Sequence, residues 1–248
     1  MPYIVAHRGA NLRAPQNTIP AFVEAIKHGA DGVEFDVQMT KDGELVICHN
    51  FTVDATSNGT GKIVDKTFEE LRKLDFGSWF ADAYTGVQIP TLRETLECVK
   101  DMKVINIEIK KAPEETKREV VKKTIDLVKE MNLENKVVFS SFDFSIIDII
   151  KEIDSSLECG LLYAPKETDC YDKRLWKWQF LTVAKEHKAD AMHPFFALTK
   201  WPILYTPICH LFGLKVNVWG IGRKYGEYLE KYKNSKFDKV DMIITDSI

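Results

Sequence analysis

Carboxylates occur at alternate positions in two short apolar segments of this sequence. In the first segment, Glu34 and Asp36 alternate with Val, Phe and Val. In the second, Asn106, Glu108 and Lys110 alternate with isoleucines. Because side chains along a β-strand alternate between its two faces, each polar set lies on one face of a strand. Three carboxylates that converge on a buried face repel one another and lose hydration, which predicts a divalent metal ion among them. Oxygen ligands suit Mg²⁺, Ca²⁺ or Mn²⁺, and the sequence does not choose among these ions.

Two histidines and an arginine lie at the ends of predicted strands. His7 and Arg8 come directly after the first strand, and His49 follows the short segment at 44–48. Imidazole titrates near neutral pH, so one histidine can accept a proton while the other donates one. Arg8, like Lys110, supplies a fixed positive charge that can bind a phosphate. A metal, two cations and two imidazoles together predict phosphoryl transfer.

The elements that must position these side chains alternate along the chain. Eight β-rich segments are predicted at residues 3–6, 32–37, 104–109, 137–140, 158–162, 189–192, 215–219 and 241–245. Helical spacing occurs at residues 18–28, 92–102, 114–131, 145–153, 176–187 and 223–232. Eight strand–helix units in about 250 residues predict an α/β fold of the (β/α)₈ TIM-barrel type, with its active site at the C-terminal ends of the strands. In a barrel, alternate strand positions point inward. In a half-exposed antiparallel sheet, the same alternation would mark only a solvated face.

An open doubly wound sheet is the competing fold. The sequence disfavours it because no Gly-rich dinucleotide turn follows the first strand. Residues 44–90 interrupt the strand–helix alternation with a short strand, a polar Gly/Asn/Thr stretch and a short helix. We therefore predict one domain over residues 1–248, with a small insertion after the second strand.

Composition and charge disfavour several classes of protein. The 34 basic and 37 acidic residues give a formal net charge of -3, which argues against general attraction to nucleic acid or anionic lipid. The 5 cysteines form no C-x-x-C pair, so we expect reduced, mostly buried thiols.

We find no signal peptide at the start, which predicts a cytoplasmic protein. Two prolines interrupt the apolar stretch at 201–214, which we interpret as buried helix and loop without stable membrane insertion. The sequence makes no prediction of oligomeric state.

Short motifs occur in a fixed order across almost the whole chain. They are AHRG (6–9), APQNT (14–18), AF (21–22), GADGVEFDV (29–37), TKDG (40–43), His49, NGTG (58–61), IPTL (89–92), EIK (108–110), SF (141–142) and IITD (243–246). In this order they resemble the glycerophosphodiester phosphodiesterase family. The resemblance implies a (β/α)₈ barrel with a small insertion after the second strand. It also implies a small-molecule glycerophosphodiester substrate, hydrolysed to sn-glycerol 3-phosphate and an alcohol such as choline, ethanolamine or glycerol.

The resemblance also implies roles for individual residues. Glu34, Asp36 and Glu108 correspond to the metal ligands, and His7 and His49 correspond to the acid/base pair. The residues implied to bind substrate are Arg8 and Lys110 at the phosphate and Phe142 and Trp219 around the glycerol or head group. For the two aromatic residues, ordinary packing in the barrel core is the alternative.

Several positions depart from the family pattern. Gln16 occupies a position where Glu is usual, Asn50 one where Asp is usual, and Ala55 one where Arg is frequent. The first two changes remove negative charge near the barrel mouth but keep hydrogen-bonding capacity. We expect them to shift local pKa values or weaken metal binding without removing the acid/base pair. The Thr that commonly follows Trp219 is also missing.

Two other functions compete with this one. A phospholipase D-like enzyme of the same barrel type would act on lysolipid head groups, but the missing signal peptide and the odd cysteine count argue against it. A non-catalytic phosphate-binding protein would have lost turnover through the changes at Gln16 and Asn50. The two imidazoles and three carboxylates that are present argue against that loss.

Overall fold

Strands and helices alternate along the chain in the computed structural model, which describes residues 1–164, 175, 179–196, 202–222 and 240–248. The strands are β1 (Tyr3–His7), β2 (Gly32–Met39), β3 (Leu45–Ile47), β4 (Val104–Ile109), β5 (Val137–Ser141), β6 (Cys159–Tyr163), β7 (Ala191–Pro194), β8 (Lys215–Ile221) and β9 (Met242–Thr245). The helices are α1 (Ile19–Lys27), α2 (Phe68–Arg72), α3 (Leu92–Val99), α4 (Glu114–Glu130), α5 (Phe144–Ile153), α6 (Phe180–Glu186) and α7 (Pro202–Leu211). The helix predicted at 223–232, the first residues of the one predicted at 176–187, and Cys170 lie outside the described residues.

Eight of these strands close into a parallel barrel. The order around the barrel is β1-β2-β4-β5-β6-β7-β8-β9, and β9 pairs again with β1. β3 is antiparallel to β2 and lies outside the ring. The predicted (β/α)₈ TIM barrel is therefore confirmed.

Apolar side chains line both sides of the barrel wall. Outward-facing residues such as Val33 and Phe35 are fully buried, and Phe22 of α1 contacts the Phe35 ring edge-on at 5.7 Å between centroids. A separate cluster of strand residues contains Val5, Val104, Val138, Met242 and Ile244. By the alternation of strand side chains these five point into the barrel, so they form an apolar layer beneath the polar C-terminal ends.

The insertion after β2 has a small core of its own. It contains β3, α2 and two 3₁₀ turns, Ile63–Asp65 and Asp82–Tyr84. Its buried cluster comprises Val46, Cys48, Val53, Ile63, Leu71, Phe76 and Ile89. At the start of α2, the Thr67 hydroxyl accepts from the Glu70 backbone N–H while the Glu70 carboxylate accepts from the Thr67 N–H, which satisfies two donors at the helix end.

The prediction that the apolar stretch at 201–214 is buried is wrong for the C-terminal part of that stretch. Within the apolar stretch predicted to be buried, Pro202–Leu211 form α7, but Leu211 is 81% exposed and Phe212 is 64% exposed. Both lie where the helix ends, and Gly213 then turns the chain with a φ of 75°. In the described part of the chain, no helix has both the length and the apolar character needed to cross a membrane. The described cysteines are free thiols, and three of the four are buried.

Candidate active site

Three carboxylates of β2 and β4 meet at the end of the barrel where His7 closes β1. The register of this parallel pair places Asp36 opposite Glu108, and Glu34 opposite Asn106. Every residue of both strands is buried. One carboxylate oxygen each from Glu34, Asp36 and Glu108 lies within 4.8 Å of the others. The alternating pattern in the sequence therefore produces one compact acidic group.

Lys110 lies beside two of these carboxylates. Its Nζ is 2.8 Å from Glu108 Oε1 and 3.3 Å from Asp36 Oδ1. Burial acts to raise the pKa of Asp36, but Lys110, His49 and Arg8 outweigh it and hold that pKa below its usual range. Burial disfavours the charged ammonium, yet Glu108 and Asp36 raise the pKa of Lys110 above its ordinary value. Lys110 is therefore a permanent cation at the floor of the site.

Arg8 approaches the acidic group from the loop after β1. It has a φ of 57°, a left-handed conformation that is uncommon outside glycine. Its backbone N–H donates to Glu34 Oε2 at 2.9 Å, and its Nη1 donates to Gln16 Oε1 at 2.7 Å. Its Nε lies 3.7 Å from Asp36 Oδ2. Gln16, a departure from the family pattern, therefore fixes the guanidinium without adding a negative charge.

The acidic group has the donor set that a hard divalent cation prefers. Burial, with repulsion from Asp36 and Glu108, raises the pKa of Glu34 well above its usual range. Burial likewise raises the pKa of Glu108, although Lys110 opposes it. Asp36 Oδ1 is buried and accepts no hydrogen bond, although Lys110 forms an ion pair with it. Two cationic side chains do not balance three carboxylates, so the residues present fit an oxygen-bound divalent metal.

His7 lies between the acidic group and the end of β9. Its Nδ1 is 2.6 Å from Asp246 Oδ1, and its Nε2 is 3.9 Å from Glu34 Oε2. Burial acts to raise the pKa of Asp246, but the hydrogen bond and charge of His7 lower it below the ordinary value. The imidazole therefore presents Nε2 to the carboxylates and Nδ1 to Asp246.

His49 reaches the site through a hairpin rather than through a barrel strand. Gln38 Nε2 donates to the carbonyl oxygens of Cys48 and Asn50 at 2.7 and 2.8 Å, which continues the β2–β3 pairing as far as His49. His49 Nδ1 lies 2.8 Å from Asn50 Oδ1. Burial lowers the pKa of His49 to about 4, and the charge of Asp36 opposes that effect. This histidine is therefore neutral near pH 7 in the absence of ligands.

These side chains surround one cavity of about 270 Å³. Its lining residues are His7, Arg8, Glu34, His49, Asn106, Glu108, Lys110, Ser140, Phe142, Leu162, Trp219 and Ile244. The rings of Phe142 and Trp219 meet edge-on at 5.5 Å between centroids. Trp219 Nε1 donates to the His193 carbonyl at 2.9 Å, which fixes this aromatic wall to β7. The cavity thus has a charged side and an apolar side.

Eight of the nine predicted site residues line this cavity, and Asp36 lies behind them against Lys110. Sequence reasoning assigned no role to Asp246 or Asn11, which contact His7, or to Ser140, whose Oγ accepts from Asn106 Nδ2 at 2.7 Å. Asp246 follows β9 directly. The strand-end rule that selected His7 would therefore also have selected this carboxylate.

Comparison with known proteins places the chain among phosphodiesterases. The model of the glycerophosphoryl diester phosphodiesterase family matches residues 7–248. A glycerophosphodiester phosphodiesterase of Caldanaerobacter subterraneus subsp. tengcongensis is 38% identical over 248 residues, covering 98% of this chain and 93% of that protein.

Two solved structures share the barrel. A glycerophosphodiester phosphodiesterase from Agrobacterium tumefaciens matches with a TM-score of 0.81 and 28% identity, over 99% of this chain and 96% of that one. An Oleispira antarctica phosphodiesterase, solved in complex with the product sn-glycerol-3-phosphate, has a TM-score of 0.82 at 24% identity, over 100% and 94% of the two chains.

Proposed function

Because this chain belongs to the glycerophosphoryl diester phosphodiesterase family and is a hydrolase of glycerophosphodiesters, we propose that it cleaves its substrate in the cavity with a bound divalent metal and two histidines. The products are sn-glycerol 3-phosphate and the alcohol of the head group. The observation that carries this proposal is that two imidazoles, two cations and an acidic group of three carboxylates meet at one cavity, which all of these residues except Asp36 line. The product complex of the Oleispira antarctica protein supports the same product here.

Glu34, Asp36 and Glu108 hold the metal ion, which is Mg²⁺, Ca²⁺ or Mn²⁺. When bound, the ion supplies Lewis-acid stabilisation of charge on the phosphoryl oxygens. Arg8 and Lys110 bind the same phosphate, because both carry permanent charge and both line the cavity. A phosphodiester bound in the cavity would therefore lie beside both cations, which themselves contact the acidic group.

His7 and His49 transfer the protons of the reaction. Both imidazoles line the cavity, so they can reach the attacking and leaving oxygens of one bound phosphate. One histidine takes the proton of the nucleophile. The other must carry a proton in the substrate complex, which the negative charge of the phosphodiester favours, and it gives that proton to the departing alcohol. Attack by water and attack by the neighbouring glycerol hydroxyl both use this pair.

Phe142 and Trp219 form the wall around the glycerol or head group. Both rings line the cavity and pack edge-to-face at 84°, so together they form an apolar surface for a small ligand. A small-molecule diester can pack its glycerol or head group against these two rings. We place the enzyme in glycerol and lipid metabolism. Its location is the cytoplasm, as the sequence predicts.

Release of glycerol 3-phosphate tests this proposal. Purified protein is treated with EDTA and then supplied with Mg²⁺, Ca²⁺ or Mn²⁺, with glycerophosphocholine, glycerophosphoethanolamine, glycerophosphoglycerol and lysophosphatidylcholine as substrates. We expect activity to disappear with EDTA and return with at least one ion, on the water-soluble diesters. Glu108→Gln should prevent the recovery. Glu119→Gln, on the exposed surface of α4, is the control and should recover like the wild type.

Three outcomes would contradict parts of the proposal. Full activity in EDTA would exclude the metal role. Faster turnover of lysophosphatidylcholine than of any water-soluble diester would favour the phospholipase D-like alternative. Tight binding of glycerol 3-phosphate without metal-stimulated hydrolysis would favour a binding protein.

A further inference from the structure

A carboxylate lies directly behind the His7 imidazole. Asp246 Oδ1 is 2.6 Å from His7 Nδ1, on the side of the ring away from the acidic group. Nε2 consequently faces the cavity, with its nearest carboxylate oxygen, Glu34 Oε2, at 3.9 Å. At 2.6 Å the contact with Asp246 is a charge-assisted hydrogen bond, and it sets the rotation of the ring.

Two further hydrogen bonds and the space beside a glycine fix the position of Asp246. The Asp246 backbone N–H donates to the Ile221 carbonyl at 3.2 Å, which anchors the end of β9 to β8. Asn11 Nδ2 donates both to Asp246 Oδ1 at 2.5 Å and to the His7 carbonyl at 2.9 Å. Gly222 leaves room for the other oxygen, because a Cβ there would lie 2.7 Å from Asp246 Oδ2.

The second histidine of the site has a different partner. His49 Nδ1 meets the neutral amide oxygen of Asn50 at 2.8 Å. An Asp–His pair is not by itself evidence of function, since Asp148 and His187 form a similar pair at 2.8 Å. That second pair is absent from the residues that line the cavity. The pair made by Asp246 is distinguished by an imidazole whose other nitrogen faces the substrate cavity.

We propose that Asp246 is a positioning residue for His7. It holds the proton of the neutral imidazole on Nδ1, so that the lone pair of Nε2 is directed at the bound phosphodiester. Asn11 supports this arrangement by fixing both the carboxylate and the backbone of His7. The inference rests on the proposed acid/base role of His7.

The physical reason is that a neutral histidine imidazole can carry its single proton on either ring nitrogen. Without an acceptor at Nδ1, the proton also occupies Nε2, and the ring can rotate away from the cavity. A fraction of the molecules then has no free lone pair where a proton must be accepted. Removing the Asp246 carboxylate should therefore lower kcat and leave KM little changed, because Asp246 does not line the substrate cavity.

Four variants test this inference: Asp246→Ala, Asp246→Asn, His7→Gln and, as the matched control, Asp148→Ala. With glycerophosphocholine and a saturating concentration of the ion that restores activity after EDTA, we expect Asp246→Ala to lower kcat by about 10- to 100-fold, the effect that removing the hydrogen-bond partner of a metal-bound histidine has, with KM changed by less than about threefold. Asp246→Asn can still accept from Nδ1 and should recover part of the loss. Asp148→Ala should match the wild type.

The imidazole tautomer gives a measurement that a purely structural role would not change. Long-range ¹H–¹⁵N spectra of histidine-labelled protein at about pH 8 should show His7, identified by its missing signal in His7→Gln, as the Nδ1–H form. In Asp246→Ala the same signal should shift toward the Nε2–H form.

The outcomes separate this inference from the proposed function. An active His7→Gln variant would refute the role of His7 itself. An inactive His7→Gln variant beside an Asp246→Ala variant with normal kcat would overturn the positioning role alone. A fall in kcat with an unchanged His7 tautomer would overturn it as well, because the loss would then arise from the fold.

Discussion

A histidine buried in the barrel wall should make the stability of this protein depend on pH. His193 on β7 has no exposed surface, and burial lowers its pKa to about 3. Its Nε2 accepts from Asn217 Nδ2 at 2.8 Å, and its Nδ1 has no hydrogen-bond partner among the described residues. A protonated imidazole would turn the Asn217 contact into a clash of two donors. The folded protein therefore binds no proton here until the pH is strongly acidic.

The sign and size of the effect follow from linkage. A histidine in the unfolded chain has a pKa of about 6.5, so the unfolded state gains the proton first as the pH falls. The free energy of unfolding is thus unaffected above about pH 7 and decreases between about 6.5 and 3. With a folded-state pKa of about 3, lowering the pH from about 8 to about 5 costs about 2 kcal/mol at this position alone. That is a large share of the roughly 5–15 kcal/mol that stabilises a typical domain.

Urea unfolding at several pH values measures this cost. The wild type and His193→Gln are compared in EDTA, so that every other titrating group cancels in the difference between them. We expect the wild type to lose about 2 kcal/mol more than the variant between about pH 8 and pH 5. Val183→Ala, which removes buried volume from α6 without removing a titratable group, should lose as much as the wild type. Equal losses in the wild type and His193→Gln would refute the reasoning.

Two further substitutions follow from contacts described above. Gly160→Ala should destabilise the fold by about 2 kcal/mol, because its Cβ would lie 2.1 Å from His193 Nε2. Combining it with His193→Ala should cost much less than the sum of the two changes in chemical denaturation, and strict additivity would contradict the steric cause. Lys110→Met should raise KM for glycerophosphocholine by about tenfold or more, because a charged hydrogen bond to phosphate is worth roughly 1.5–3 kcal/mol. Lys111→Met, a neighbouring exposed lysine, is the control, and an unchanged KM in Lys110→Met would exclude phosphate contact.

Much of the site could be predicted because side chains alternate between the two faces of a β-strand. Glu34, Asp36 and Glu108 could be placed together because strand alternation and the parallel register depend on local sequence and on the fold class alone. His7 and Arg8 were located by the rule that barrel sites form at strand ends. The same rule applied to β9 would have added Asp246.

Other features depend on pairing that a sequence does not display. His49 reaches the cavity because β3 folds back antiparallel on β2, and the sequence of a three-residue strand does not set its direction. The hydrogen bonds of Asn11 and Gln16 depend on side-chain rotamers in the loop after β1. The apolar run that includes Phe212 looked buried by composition, but a helix end followed by a turn brings that part of it to the surface.

The barrel closes where β9 meets β1, and this seam has a consequence for biosynthesis. The carboxylate that contacts the His7 ring lies 239 positions further along the chain, so the contact is among the most distant in sequence that this protein makes. On the ribosome, the strands that carry the acidic group, β2 and β4, emerge long before β9. The His7 ring gains its hydrogen-bond partner only when β9 pairs with β1. The position of this imidazole is therefore fixed only when the barrel closes.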